Sequence, residues 1–276
     1  MPKPMMSGED IVRDTRLHDS LSRIRHVIIV MSGKGGVGKS TVSSNIAQAL
    51  SLKGYRTGLM DIDITGPSIP KMFHIEDAKL HAEDDRLIPV SVPPSLSIMS
   101  MGFLLPEKDS AVMWRGPMKT SAIRQFIEDV AWGELDYLII DMPPGTGDEA
   151  ISIVQLIPKA DGAVIVTTPQ DVALLDGRKS INFASQTDLH ILGIIENMSG
   201  FVCPHCGELT DIFGSGGGEK TAENLKIQFL GRVPLEPVVA ASGDSGRPVV
   251  IAEPASKSAA AFNSIVDKLI RTVENR

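Results

Sequence analysis

Hydrophobic positions along this chain form short apolar runs, and longer stretches with helical spacing separate them. Buried strands are predicted where β-branched and apolar residues cluster, at Val27–Val30, Arg56–Asp63, Leu96–Met101, Asp136–Asp141, Gly162–Thr167, His190–Glu196 and Gln228–Val233. The stretches between them favour helices, which include Val42–Leu52, Met118–Val130 and Ser256–Val273. Because strand and helix alternate, the pattern predicts an α/β fold that is doubly wound, with a mostly parallel sheet and helices on both faces.

No internal repeat or low-complexity segment interrupts this alternation, so the sequence predicts one domain over residues 26–276. Residues 1–25 are more polar, and we expect them to form a lead-in segment that packs on the domain or frays. The passage between Ile75 and Pro94 is charged and broken by prolines, which suggests a surface excursion containing a hairpin. A chain of 276 residues with 42% apolar residues can bury a full core.

Composition narrows the possible partners and compartments. The formal net charge is −7, and no lysine- or arginine-rich block offsets it, which argues against nonspecific binding to nucleic acid. No apolar stretch approaches the roughly 20 residues of a membrane span, and the first residues lack the pattern of a signal peptide. We therefore expect a cytoplasmic protein that binds neither nucleic acid nor a membrane.

A glycine-rich loop follows the first predicted strand directly and fits the pattern G-x-x-x-x-G-K-[ST]. Glycines let successive backbone N–H groups point at phosphate oxygens, and the following helix adds the positive end of its dipole. Lys39 is expected to reach the β- and γ-phosphates, Ser40 to ligate Mg²⁺ and Thr41 to contact phosphate. The pattern predicts a nucleotide site formed by Gly33, Lys34, Gly35, Gly36, Val37, Gly38, Lys39, Ser40 and Thr41.

The predicted strand Asp136–Asp141 ends in a carboxylate, as the Mg²⁺-binding strand of a phosphate-loop protein does. There the carboxylate holds the Mg²⁺ shell, and the loop that follows senses the γ-phosphate. The alternative for Asp141 is a structural helix cap after a buried strand. The phosphate loop upstream favours the magnesium role.

The chain has only two cysteines, Cys203 and Cys206, in the string C-P-H-C-G. A redox dithiol, a metal or cluster site, and two idle thiols are the open interpretations. A redox pair is typically at the N-terminus of a helix, whereas turn-forming residues surround this pair. Two thiolates are half the ligands of a tetrahedral zinc ion or a cysteine-ligated cluster. A symmetric homodimer supplies the other half, so we expect a site shared by Cys203 and Cys206 of two chains.

These motifs together resemble known protein families. The string K-G-G-V-G-K-S-T, with its second lysine at Lys34, resembles the deviant phosphate loops of the group that includes MinD, ParA and the nitrogenase iron protein. Further motifs follow in order: D-I-D-I-T-G-P-S, W-R-G-P-M, D-M-P-P-G-T-G-D, E-N-M-S and C-P-H-C-G. The whole set, over roughly residues 26–248, resembles the Mrp/ApbC family of iron-sulfur carrier ATPases.

The resemblance implies roles that the pattern alone leaves open. Lys34 would reach across a homodimer to the partner's nucleotide, although its position also suits a solvated side chain. Asp63, the second Asp of D-I-D, would orient the attacking water, with a structural cap as the alternative. Asn197 would hydrogen-bond the adenine edge and Pro234 would belong to the second wall of the base pocket. Without the resemblance, an Asn after a strand is most often a turn former.

At the level of function, the resemblance implies an ATP hydrolase with Lys34, Lys39 and Asp63 as its catalytic residues. Such a protein would use ATP and Mg²⁺, bind a 4Fe-4S cluster in a homodimer and pass it to apo iron-sulfur proteins. The alternative is a positioning or regulatory ATPase like MinD or ParA, in which the cysteine pair binds zinc structurally. That class needs a membrane-binding tail or a basic DNA patch, whereas the apolar stripe near the C-terminus fits a last helix packed on the sheet.

Overall fold

A computed structural model describes residues 17, 19–104 and 116–275 of the chain. The strands are β1 (Ile24–Met31), β2 (Thr57–Asp61), β3 (His81–Glu83), β4 (Arg86–Ile88), β5 (Val90–Val92), β6 (Leu96–Ser100), β7 (Leu135–Asp141), β8 (Gly162–Thr167), β9 (Ile191–Glu196), β10 (Phe201–Val202), β11 (Leu209–Thr210) and β12 (Phe229–Arg232). An eight-stranded sheet has the order β12-β9-β8-β1-β7-β2-β6-β5, and β3 with β4 and β10 with β11 form two separate hairpins. Every neighbouring pair in the large sheet is parallel except β5 with β6.

Helices cover both faces of the large sheet. They are α1 (Lys39–Leu52), α2 (Ile69–Met72), α3 (Gly116–Asp129), α4 (Asp148–Leu156), α5 (Asp171–Gln186), α6 (Gly217–Leu225), α7 (Pro237–Asp244), α8 (Val249–Ala252) and α9 (Lys257–Glu274), with a 3₁₀ turn at Met101–Leu104. Two buried apolar clusters result, one containing side chains of α3, α4 and α6 and the other side chains of α1 and α9. The predicted doubly wound α/β class is confirmed.

The last helix illustrates how local sequence produces this packing. Phe262, Ile265 and Leu269 repeat at helical spacing, and all three are buried against the sheet. The Ser256 side chain caps the start of α9 by accepting a hydrogen bond from the backbone N–H of Ala259 at 3.1 Å. The C-terminal apolar stripe is therefore the core-facing side of a helix.

The carboxyl ends of the parallel strands meet at one edge of the sheet, and this edge gathers the predicted site. Asp141 at the end of β7 is in register with Val30 of β1 on one side and with Asp61 of β2 on the other. Glu196 ends β9 beside Thr167 of β8. In open parallel sheets this edge is where ligands bind.

Two sequence expectations fall outside the described residues. Trp114 and Arg115 of the W-R-G-P-M string lie there, as do residues 1–16 and residue 18 of the lead-in segment. Leu17 and Leu21, from the described end of that segment, are buried in the core. The expected surface hairpin is present as β3 and β4, whose residues His81 and Ile88 pair.

Candidate functional site

The phosphate loop joins β1 to α1 and leaves the N-terminus of α1 open. Gly36 and Gly38 have positive φ angles of 83° and 81°, a conformation that any residue with a Cβ adopts only with strain. Gly38 precedes the helix, and no side chain caps the helix there. The N–H groups of the first turn therefore stay available to an anion at the positive end of the helix dipole.

Asp141 is the centre of a buried polar network below this loop. Its Oδ2 accepts hydrogen bonds from Lys39 Nζ at 2.8 Å and from the Ser40 hydroxyl at 2.6 Å. Its Oδ1 accepts one from the Ser43 hydroxyl at 2.6 Å. Asp141 is fully buried and Lys39 is 7% exposed, so the ion pair lies where little water screens it. Strand β7 and helix α1 thus bring Lys39, Ser40 and Asp141 together as the sequence predicted.

A second buried carboxylate, Asp61, lies beside Asp141 and had no role in the sequence prediction. Its Oδ2 accepts a hydrogen bond from the Ser100 hydroxyl at 2.9 Å, and its Oδ1 accepts one from the Asp63 N–H at 3.2 Å. Burial first, and the neighbouring Asp141 charge second, raise the pKa of Asp61 to about 7. The sequence signal was the first Asp of D-I-D, whose partner becomes evident only when β2 and β7 pair.

Asp63 lies beyond the end of β2, where the sequence had predicted continued strand. Its Oδ1 accepts hydrogen bonds from Thr65 N–H at 3.0 Å, from the Thr65 hydroxyl at 2.7 Å and from Gly66 N–H at 3.2 Å. The carboxylate therefore closes a turn, and it also lines a cavity of about 200 Å³ over the phosphate loop. Its assignment to water orientation stays a prediction.

Lys34 lines the same cavity and is half-buried. Its backbone oxygen accepts a hydrogen bond from the Ser32 hydroxyl at 3.0 Å, which helps to fix the loop. A hydrogen bond from Lys179 is the main cause that lowers the pKa of the Asp176 carboxyl, and the charge of Lys34 contributes. Lys34 therefore lies near the first turns of α5 rather than in open solvent.

Asn197 and Pro234 line one cavity of about 330 Å³, which also includes Thr41. The Asn197 side chain is 6% exposed, and its Nδ2 donates to the backbone oxygen of Val37 at 2.9 Å. A Cβ added to Gly38 would come within 2.2 Å of that nitrogen, so Asn197 packs directly on the phosphate loop. Thr41 also lines the phosphate cavity, which makes the two spaces neighbours. A larger cavity of about 1080 Å³ lies elsewhere, between the segment before β1 and helices α3 and α4.

The cysteines lie at the tip of the hairpin formed by β10 and β11, which the sequence did not predict. Cys203 N–H donates to the Glu208 oxygen at 3.0 Å, and Gly207 N–H, at a φ of 72°, donates to the Cys203 oxygen at 2.8 Å. Hydrogen bonds from the backbone N–H of Cys206 and of His205, and from the Cys206 side chain, lower the pKa of the Cys203 thiol. Cys206 is exposed and Cys203 partly so, and both are free thiols. Two thiolate ligands on a tight turn result.

No cluster of three or more His, Cys, Asp or Glu residues that could hold a metal occurs within the described ranges. The cysteine turn is thus a pair of ligands without protein partners in the same described chain. A tetrahedral metal or cluster needs about four ligands. Half of the set is present.

Backbone pairing fixes the cysteine hairpin to the wall of the Asn197 cavity. Leu235 N–H donates to the Gly200 oxygen at 2.8 Å, and Val202 N–H donates to the Leu235 oxygen at 3.1 Å. Leu235 lines that cavity next to Pro234. The cavity wall and the first strand of the hairpin therefore form one hydrogen-bonded unit.

Exposed apolar side chains surround the hairpin and the start of α5. They are Val172, Leu175, Leu209, Ile212 and Phe213, which are 36% to 66% exposed. Contacts join the two regions, because Gly214 of the loop after the hairpin and Gly217 at the start of α6 lie against Pro169 and Leu174 near the start of α5. We refer to these five residues as the apolar rim. Neighbouring exposed apolar side chains of this kind are typical of interaction surfaces.

Three features lie together at the carboxyl edge of the parallel sheet: a glycine loop at an uncapped helix N-terminus, a buried lysine-aspartate pair and an adjoining cavity. Together they define a nucleotide-binding P-loop protein. The chain belongs to the family described as ParA: NUBPL iron-transfer P-loop NTPase, which it matches over residues 23–270. The expected family is thereby confirmed.

Relatives with curated names agree with this membership. The chain is 49% identical to a protein of Methanocaldococcus jannaschii named iron-sulfur cluster carrier protein, over 96% of this chain and 90% of that protein. It is 47% identical to the cytosolic Fe-S cluster assembly factor NUBP2 of Gallus gallus, over 95% of this chain and 97% of the relative.

Solved structures agree with the fold. A nucleotide-binding protein from Archaeoglobus fulgidus, in complex with ADP, has a TM-score of 0.77 and 42% identity over 87% of this chain and 94% of that chain. The cell division ATPase MinD of Pyrococcus furiosus, at 22% identity, covers 90% of this chain and 99% of its own with a TM-score of 0.66. At that identity, the MinD likeness bears on the fold alone.

Proposed function

We propose that this protein is an ATP-dependent iron-sulfur cluster carrier that binds a 4Fe-4S cluster between two copies of the chain. The observation that carries the proposal is the Cys203/Cys206 turn, a pair of partly exposed thiols without further metal ligands nearby in the described chain. The names of the relatives support the same cargo. Cytosolic relatives among them support a cytoplasmic location and apo iron-sulfur proteins as recipients.

The second half of the ligand set would come from a homodimer. A two-fold axis near the hairpin presents Cys203 and Cys206 twice and supplies four thiolates. The apolar rim supports this arrangement, because it lies beside the cysteines and would be buried between the copies. Lys34, on the same side of the phosphate loop as α5, would then face the partner's nucleotide.

ATP would occupy the two neighbouring cavities, with its phosphates on the Gly33–Thr41 loop and its base beside Asn197 and Pro234. The Ser40 hydroxyl oxygen and the Asp141 Oδ2 lie 2.6 Å apart, and both are oxygen ligands of the kind that Mg²⁺ prefers. When bound, Mg²⁺ neutralises charge on the β- and γ-phosphates. Lys39 would leave Asp141 for the phosphates.

Asp63 would orient the water that attacks the γ-phosphorus. The water oxygen forms the new P–O bond as the bond to the β–γ bridging oxygen breaks, giving ADP and phosphate. Three hydrogen bonds from Thr65 and Gly66 to Oδ1 hold the carboxylate in place, and Oδ2 would accept the hydrogen bond from the water.

Reconstitution with iron and sulfide under anaerobic conditions tests the proposal. We expect the reconstituted protein to show broad charge-transfer absorption in the visible region and a dimeric mass. We expect Cys203→Ala to lose both. A colourless protein that retains only zinc would overturn the cluster assignment in favour of a structural metal site.

Transfer from the reconstituted protein to an apo iron-sulfur protein tests the role of ATP. Lys39→Ala removes the amine that pairs with Asp141, and we expect it to abolish the effect of ATP on transfer. If the rate of transfer with ATP present is the same in this variant as in the unmodified protein, nucleotide has no part in the mechanism. No helix in the described part of the chain is long and apolar enough to cross a bilayer.

A further inference from the structure

Glu196 is a buried carboxylate between the nucleotide cavity and the cysteine hairpin, and the proposed function gives it no role. Its side chain is fully buried at the end of β9. Oε1 accepts hydrogen bonds from Gly216 N–H at 2.8 Å and from the Ser199 hydroxyl, while Oε2 accepts one from Gly218 N–H. Arg232 Nε is 3.7 Å from Oε1. A buried carboxylate with this many donors holds its neighbours in one arrangement.

Glu196 and Asn197 point to opposite faces of the sheet. Asn197 contacts the phosphate loop at Val37, next to α1, whereas Glu196 holds the N-terminus of α6. Val42 of α1 and Ala222 of α6 belong to the two different apolar clusters. Adjacent residues at a strand end alternate in this way, so any shift of the peptide between them moves both side chains.

The cysteine hairpin is held at both of its ends, by the cavity wall on one side and by the tip of β9 on the other. Its first strand pairs with the cavity wall at Leu235, as described above. After its second strand the chain runs through residues 211–218, which we call the return limb, and ends on the Glu196 carboxylate. A Cβ added to Gly218 would lie 3.1 Å from Glu196 Cβ and 3.1 Å from Oε2, so the limb packs tightly on this side chain.

We propose that Glu196 is a positioning residue through which the occupied base pocket controls the placement of the Cys203/Cys206 turn. A base beside Asn197 would shift the position of the end of β9. The Glu196 carboxylate would transmit that shift to the return limb through its hydrogen bonds from two glycine N–H groups. The limb also bears Ile212 and Phe213 of the apolar rim, so both the thiols and the surface next to them respond. This inference rests on the proposed function and adds the route by which nucleotide regulates the cargo.

Glu196→Gln is the variant that tests the role of Glu196 most directly. Each carboxylate oxygen accepts a hydrogen bond from a glycine N–H, and Gln keeps the shape but turns one oxygen into an amide donor. That donor would face another donor, so one contact to the limb is lost while Asn197 and the phosphate loop stay in place.

The measurement is the rate at which a ferrous chelator removes iron from the reconstituted full-length protein, with and without a non-hydrolysable ATP analogue. In the unmodified protein we expect the two rates to differ by about fivefold or more, the usual range of allosteric coupling. In Glu196→Gln we expect a ratio near one, with ADP affinity retained. A ratio equal to that of the unmodified protein would overturn the role of Glu196, as would a ratio of one in the unmodified protein itself.

Two further variants separate coupling from a merely structural role. Asp161→Asn is the matched control, since Asp161 also accepts a hydrogen bond from a backbone N–H, that of Val27 at 2.7 Å, at the opposite edge of the sheet. It should keep the ratio of the unmodified protein, and loss of the ratio there as well would reduce Glu196 to a stability effect. If Glu196→Gln fails to fold, Gly218→Ala is the alternative variant. Its added Cβ would push the return limb away from the Glu196 side chain, and it should also bring the ratio to one. Absence of any iron-sulfide absorption in the unmodified protein would instead count against the cluster site.

Discussion

The side-chain amide of Asn197 already makes one hydrogen bond to the protein when no nucleotide is bound. Its Nδ2 donates to Val37 O at 2.9 Å, so its Oδ1 remains as an acceptor in the cavity. The 6-amino group of adenine donates to such an oxygen, whereas O6 of guanine is itself an acceptor. If the proposed base pocket is correct, the contact with the phosphate loop would hold the amide in the orientation that favours adenine over guanine.

Replacement of Asn197 by Ala should therefore weaken ATP binding about tenfold and reduce the preference for ATP over GTP, because one base hydrogen bond is lost. Binding of both nucleotides by calorimetry measures the effect. Asn45→Ala is the matched control, since Asn45 is a buried structural amide that bonds Thr41 O and the Val250 N–H. An unchanged preference in Asn197→Ala would contradict the assignment.

Asp61 makes the stability of the nucleotide-free protein depend on pH. Its pKa of about 7 in the folded state lies above the value of 3.8 expected in the unfolded chain. Folding therefore favours the protonated carboxyl, and this contribution to stability is fully present below about pH 3.8 and is lost progressively as the pH rises to about 7. Asp61→Asn removes this titration.

We expect Asp61→Asn to raise the Tm by roughly 5 °C at pH 8 and by less than half of that at pH 5, where the carboxyl of the folded protein is still protonated. Thermal unfolding in nucleotide-free and metal-free buffer measures both values. An equal shift at the two pH values would show that the carboxyl does not titrate in this range.

At the scale of elements, the phosphate loop depends on α5 as well as on α1. A Cβ added to Gly33 would lie 2.0 Å from the backbone oxygen of Asp176, in the second turn of α5. Backbone cannot move away as a side-chain end can, so Gly33 is needed for close approach rather than for its φ angle. The sequence pattern marked Gly33 as a phosphate-loop residue, but not as a contact between elements.

Gly33→Ala should therefore destabilise the nucleotide-free protein by about 2 kcal/mol, or roughly 6 °C in Tm, because the loop and α5 must separate. Gly35→Ala is the matched comparison in the same loop, since an added Cβ there meets nothing within 4 Å. Thermal unfolding of both variants measures the difference. Similar losses of stability would show that loop flexibility, not the α5 contact, is decisive.

At the scale of the whole molecule, the apolar rim bears on the proposed dimer. Leu175 is 51% exposed on α5, near the loop that follows the cysteine hairpin. A charge placed there would have to be buried between two copies, which costs free energy without a partner. Association and cluster binding should weaken together, because in the proposed dimer the same contact would supply the second cysteine pair.

We expect Leu175→Lys to weaken association of the iron-sulfide-reconstituted protein about tenfold or more, measured by sedimentation. Leu52→Lys is the control, since Leu52 is 45% exposed at the far end of α1, away from the cysteines. Full association of Leu175→Lys would place the interface on another surface.

Much of the fold and the phosphate site could be predicted because local sequence determines them. The run before Gly33 and the spacing in α9 each satisfy one element's own packing, and the glycine loop supplies the conformation that phosphate binding needs. The family followed from the order of several such motifs. The hairpin around Cys203 could not be predicted, because β10 and β11 have only two residues each and β10 also pairs with Leu235, which is distant in sequence.

The sequence by itself determined the alternation of strands and helices, the phosphate loop and the presence of two thiols, since each depends on neighbours along the chain. Only the tertiary structure decided that Asp61 lies against Asp141 and that Glu196 holds the limb behind the cysteines. Those contacts join residues 80 and 20 positions apart, and strand pairing and a buried carboxylate bring them together. Two carboxylates affect each other's pKa, or one carboxylate links two loops, only when the groups are close in space. The local sequence pattern does not specify those distances.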